Sequence, residues 1–118
     1  MPDHQLTVMV HPHPAGPSLI AVAGELDYHT ASRLRETLDD LPMTSVPALI
    51  IDLTDVSYCD STGITVLVGA HRGTQAAGIP LALSGVDDNL RRILGIIGLE
   101  SLFRIYDTAD SAAAALTG

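Results

Sequence analysis

Two rhythms of apolar positions divide the chain. Short apolar runs closed by glycine, proline or aspartate alternate with longer stretches in which apolar residues return every three or four positions, the signatures of strand and amphipathic helix. Leu6–Val10 (LTVMV) alternates weakly and predicts a strand. The breaker-rich segment His11–Pro17 predicts a turn, and Ser18–Ala23 (SLIAVA), closed by Gly24, completes an antiparallel hairpin. Thr30 stands where an N-cap belongs, with Ala31, Leu34, Leu38 and Leu41 on one helical face and Pro42 beyond the end. Pro42–Pro47 predicts a loop.

Ala48–Leu53 (ALIIDL) is nearly continuous apolar sequence, the pattern of a parallel strand covered on both faces. Thr54–Asp60 reads as a short polar bridge with Val56, Tyr58 and Cys59 turned inward. A helix follows from Ser61 or Thr62 to Ala77, with Ile64, Leu67, Val68 and His71 on one face and Gly78 as C-terminal cap. Pro80–Leu83 predicts a fourth strand, and Asp87 or Asp88 caps a helix through Leu90, Ile93, Leu94 and Ile97 that ends at Gly98. Leu102–Tyr106 predicts an edge strand, and Asp107–Asp110 opens a last helix along Ala112–Leu116. This alternation predicts an α/β fold over residues 1–118 as one domain. Its expected sheet is four- or five-stranded and mostly parallel, with an antiparallel first strand and about four helices.

Composition narrows the classes. The chain has 118 residues, 47% of them apolar and only 17% charged, which suits a packed core and excludes a disordered tail. Six Arg and no Lys stand against eleven Asp and three Glu, a formal charge of −8. That excess repels phosphate backbones and anionic lipid, so no direct nucleic-acid binding is expected. Cys59, the one cysteine, excludes an intrachain disulfide and a cysteine-based zinc site. No apolar run approaches the ~20 residues of a membrane span, and Met1–His4 has no basic secretion segment, so a cytoplasmic protein without membrane insertion is expected. No glycine pattern of Walker or dinucleotide type occurs, and no cofactor is expected.

The topology gives two distant loops a common address. A right-handed crossover makes strands 18–23 and 48–53 parallel, so the loops that follow them, Gly24–Thr30 and Thr54–Gly63, leave the sheet at one edge. Asp27 is thereby expected beside Asp60-Ser61-Thr62-Gly63, more than thirty residues away in sequence. The Ser61 hydroxyl or the Asp60 carboxylate can cap the free N–H groups of the helix, and Gly63 leaves room for another molecule to approach the backbone. Asp-Ser-Thr-Gly is therefore either a plain helix start or an exposed hydroxyl presented for modification.

Other residues give less. His29 with Asp27 and Ser61 suggests a hydrolytic triad, yet a hydrolase elbow needs G-x-S-x-G and here Cys59 and Gly63 flank Ser61. His11 and His13 lack a third metal ligand and read as a solvated turn. His71 reads as a packed boundary residue, Cys59 as a small buried hydrophobe, and Arg91 and Arg92 as a solvated face. A phosphoaspartate receiver needs a Lys near the C-terminus, and this chain contains none.

Gly24-Glu25-Leu26-Asp27 with Tyr28-His29-Thr30-Ala31, followed by Val56-Ser57-Tyr58-Cys59-Asp60-Ser61-Thr62-Gly63-Ile64, resembles the STAS domain family, and more narrowly the bacterial anti-sigma factor antagonists. The element order and Gly98-Leu99 extend the resemblance over essentially the whole chain; Cys59 stands where a larger apolar residue is common. The resemblance implies a non-enzymatic protein that binds an anti-sigma factor, usually a serine kinase of the histidine-kinase-like ATPase type, and so releases a sigma factor. It implies phosphorylation of Ser61, with Thr62 as second choice, reversal by a serine phosphatase, and a partner surface of Asp27, Asp60, Ser61, Thr62 and Gly63. A second implication is a STAS module that binds a small ligand or lipid as a subunit of a transporter-type complex.

Overall fold

Five strands lie side by side in chain order: β1 (Leu6–Pro12), β2 (Ser18–Leu26), β3 (Leu49–Cys59), β4 (Leu81–Ser84) and β5 (Arg104–Tyr106). The structure is a computed structural model and describes residues 5–117; Met1–His4, the segment read as lacking a secretion signal, and Gly118 lie outside the described residues. β1 pairs antiparallel with β2, and every later neighbour is parallel. The connecting helices are α1 (Ala31–Asp40), α2 (Ser61–Ala77) and α3 (Asp88–Ile96), with α4 (Ala109–Thr117) following β5. The expected fold class is the one observed.

Strand alternation sorts the core into two layers. Ile20, Val22, Leu49, Ile51, Leu53, Leu81 and Leu83 share one cluster with Leu34 and Leu38 of α1, Ile64 and Leu67 of α2, and Leu90 and Leu94 of α3. Burying each such side chain contributes about 1.5–3 kcal/mol, so this layer holds α1, α2 and α3 against the sheet. On the opposite face Leu19, Ile50 and Ala82 pack under Ala112 and Ala113 of α4. Small alanines there let α4 lie close over β3 and β4.

The strands run further than their apolar runs. β3 continues to Cys59 through the segment read as a polar bridge, because residues 55–59 still pair with β2 while β4 stops opposite Asp52. A strand paired on one side only is half-solvated, so its sequence loses the apolar signature of a covered strand. Thr54, Asp55, Ser57 and Tyr58 are all exposed, and Tyr58, expected inward, is 54% exposed. β2 likewise continues to Leu26 by way of register shifts around Ala21–Ala23 and Gly24–Glu25. Gly24 adopts φ +109°, and a side chain there would run into the Gln5 carbonyl. The glycine of Gly-Glu-Leu-Asp thus allows β2 to pass close to the chain entering β1.

Two other expectations need correcting. Thr30 precedes α1 but makes no side-chain cap; its hydroxyl instead donates to the Glu25 carbonyl at 2.6 Å. His13 is not a solvated turn residue. Its Nε2 lies 2.7 Å from Asp110 Oδ1 and ties the β1–β2 turn to the first turn of α4. His71 packs as expected, its ring edge-on to Phe103 at 6.1 Å between centroids.

Candidate functional site

The carboxyl ends of β2 and β3 are adjacent, with Leu26 opposite Cys59, so the two loops after them start from neighbouring positions. Asp60 fastens one to the other. Its Oδ1 accepts from Gly63 N–H at 3.0 Å as the N-cap of α2, while Oδ2 accepts from Tyr28 N–H at 3.0 Å in the first loop. Its own N–H donates to the Leu26 carbonyl at 3.2 Å. One carboxylate therefore caps a helix and holds the first loop against it, which the sequence reading anticipated only as a possible cap.

Asp27 works from inside. It is 5% exposed, and its Oδ1 accepts from the N–H groups of His29 at 2.9 Å and Thr30 at 3.2 Å. The Asp27 N–H donates to Thr30 Oγ1 at 3.0 Å, and the Asp27 carbonyl accepts from Ala31 N–H at 2.8 Å. The Asp-x-x-Thr spacing is the sequence signal for such a turn. Asp27 was expected to meet a partner; its carboxylate instead shapes the loop and leaves Tyr28, 76% exposed, at the tip. An aromatic in a short polar loop is the signal that marks Tyr28, and the sequence reading passed over it.

Ser61 is the first residue of α2 and is exposed. Its carbonyl accepts from Thr65 Oγ1 at 2.9 Å, whereas Ser61 Oγ has no hydrogen-bond partner among the described residues. Thr62 beside it is half-buried. Gly63 is buried and faces the protein: a Cβ there would lie 2.8 Å from Leu26 Cγ and the Leu26 carbonyl, and 2.9 Å from Cys59 Sγ. The expected access for another molecule at Gly63 is thus corrected to close packing of α2 on β2. Ser61 and Asp27 lie on one rim of the sheet, as the topology required, but only Ser61 offers a reactive atom to solvent.

Cys59 sits half-buried behind this junction. Burial first, and then the nearby Asp60 and Asp87 carboxylates, push its thiol up from 9.0 to about 12. The neutral thiol is accordingly the species present throughout the physiological range. Below pH 9 that shift leaves on the order of a thousandfold less thiolate than an unperturbed cysteine. Alkylation by iodoacetamide at pH 8 is expected to slow by a comparable factor relative to the same chain in denaturant; equal rates in the two conditions would overturn this.

These features define an α/β domain in which an exposed serine hydroxyl, Ser61 Oγ, stands at a strand-to-helix junction. Residues 8–112 match the STAS domain model, and the chain belongs to the STAS domain family. It is 42% identical over 86 residues to the anti-sigma-B factor antagonist of Listeria monocytogenes, covering 73% of this chain and 75% of that one. Among solved structures, an anti-sigma factor antagonist from Mycobacterium paratuberculosis superposes with a TM-score of 0.87 at 30% identity, over 100% of this chain and 98% of that one. A sulfate transporter family protein from Wolinella succinogenes superposes with a TM-score of 0.75 at 27% identity, over 90% and 88% of the two chains. Among the described residues no helix is long and apolar enough to cross a membrane.

Proposed function

We propose that this chain is an anti-sigma factor antagonist switched by phosphorylation of Ser61. In its unmodified form it binds a serine-kinase anti-sigma factor of the histidine-kinase-like ATPase type and so frees a sigma factor. Transfer of the γ-phosphoryl group from the kinase's ATP to Ser61 Oγ ends the contact, and a serine phosphatase restores it. The chain contributes no catalysis; nucleotide comes with the kinase, and the exchange takes place in the cytoplasm. The observation that carries this reading is the Ser61 hydroxyl, exposed and unpartnered at the start of α2, on a junction that Asp60 holds rigid. Names of the relatives in Listeria and Mycobacterium support the same reading.

Within this proposal the expected partner residues divide by depth. Ser61 and Thr62 meet the kinase, Asp60 contributes its half-buried edge, and Asp27 and Gly63 set the shape from beneath. Thr62 is the weaker acceptor because its side chain is partly covered.

A second reading is favoured by one observation, the likeness to the transporter-family protein: a STAS module that holds a small ligand or lipid within a larger complex. Incubation with each candidate serine-kinase anti-sigma factor and ATP, followed by mass spectrometric mapping, separates the two. One phosphate on Ser61, absent from Ser61→Ala, is expected. Absence of modification with every candidate would favour the transporter-type module.

A further inference from the structure

Ser61 also lies at one end of a groove. An open-sided concavity of about 570 Å³ runs along the outer surface of α2 between α1 and the end of α3. Leu38, Ile64, Val68 and Leu99 make it apolar, and Ile97, 51% exposed, stands at its edge. Arg35 and Arg72 also line it, and neither makes an ion pair or side-chain hydrogen bond among the described residues. Asp39 lies with them, so the groove carries two cations against one anion on a chain whose net charge is −8.

We propose that this groove docks an amphipathic helix of the anti-sigma partner, one whose apolar stripe is flanked by carboxylates. The inference rests on the function proposed above and names the surface it uses. Three features select that occupant. From Ser61 to Arg72 the groove follows α2 for about 16 Å, the length of three helical turns. An apolar floor of that length accepts the i, i+4, i+7 side of a helix. Guanidinium groups left without internal partners on an acidic protein attract acidic groups here while the remaining surface repels them. Ser61 at the end of the same groove then explains the switch. A phosphate there repels the incoming carboxylates, so modification opposes docking without reshaping the groove.

Arg35 and Arg72 are exposed, and reversing them leaves the core intact. The test measures binding of the anti-sigma factor that phosphorylates Ser61. Arg35→Glu with Arg72→Glu is expected to weaken it by about a hundredfold, Ile97→Ser by about tenfold, and Arg104→Glu on β5 not at all. Complex formation is expected to slow amide exchange at residues 35–39, 61–72 and 96–99, a readout that needs no variant. Exchange protection elsewhere, or a double reversal that binds within threefold of the parent, would overturn the groove while leaving the phosphorylation reading in place. The same holds if dodecanoate fills the groove while the kinase stays indifferent to it, or if Ile97→Ser only dissociates a dimer of this chain. Failure of every genome-encoded anti-sigma factor to bind the parent chain would remove the function itself, and the inference with it.

Discussion

Ser61→Asp, and more strongly phospho-Ser61, is expected to weaken binding to the anti-sigma factor on the order of a thousandfold while shifting the melting temperature by no more than a few degrees. The two effects separate because the charge sits in different surroundings in the two processes. In the free protein the oxygen is solvated and stands at the N-terminus of a seventeen-residue helix, where an anion is favoured by about 0.3–1 kcal/mol. Asp60 nearby opposes that gain, but both of its oxygens are already engaged by N–H groups, which limits the repulsion. Docking instead removes water from the new charge. An unpaired anion buried at an interface costs several kcal/mol, and about 4 kcal/mol corresponds to nearly a thousandfold in Kd. Calorimetric titration and thermal melting of the same samples check both halves. A variant that melts far below the parent yet binds with unchanged affinity would contradict the account.

Asp60→Ala is expected to lower stability by about 1–2 kcal/mol, roughly 5–10 °C in melting temperature for a chain of this size. It removes the N-cap of α2 and the acceptor for Tyr28 N–H in one step. Asp60→Asn should fall between, since an amide oxygen can serve one of those donors while its NH₂ group faces the other. Partner affinity should drop by more than instability alone explains, because the Tyr28 loop is no longer held against Ser61. Chemical denaturation alongside binding measurements on folded protein distinguishes the two losses. An alanine variant with parental stability would show that the two hydrogen bonds are replaced by water at no cost.

Much of this was legible because pattern and packing agree. ALIIDL predicts a doubly covered strand, and Ile50 and Ile51 are indeed buried on opposite faces. Of the two candidate caps Asp87 and Asp88, it is Asp87 that caps α3, with Leu90 N–H donating to its Oδ1 at 2.7 Å. Where the reading fell short, a tertiary partner had changed the local rule. Tyr58 belongs to a strand whose outer side has no neighbour, so its face could not be deduced from periodicity. Asp27 and Gly63 look like surface chemistry in a motif string, yet one closes a turn and the other fits under Leu26. His13 and Asp110 lie 97 positions apart, and nothing local connects them. The groove was invisible for the same reason: Arg35 and Arg72 stand on different helices and line one surface only when α1 and α2 are set side by side.

The Ser61 hydroxyl belongs to a helical residue whose backbone is committed on both sides, through Asp60 N–H to the Leu26 carbonyl before it and through its own carbonyl to Thr65 Oγ1 after it. It cannot be drawn out into the extended shape in which tail-borne serines are read. Under the proposed switch the address is therefore three-dimensional, and an enzyme that wrote or erased it would have to accommodate the corner where a strand becomes a helix. Cross-talk under that switch would be confined to proteins that share this corner, whatever short sequence surrounds their serine.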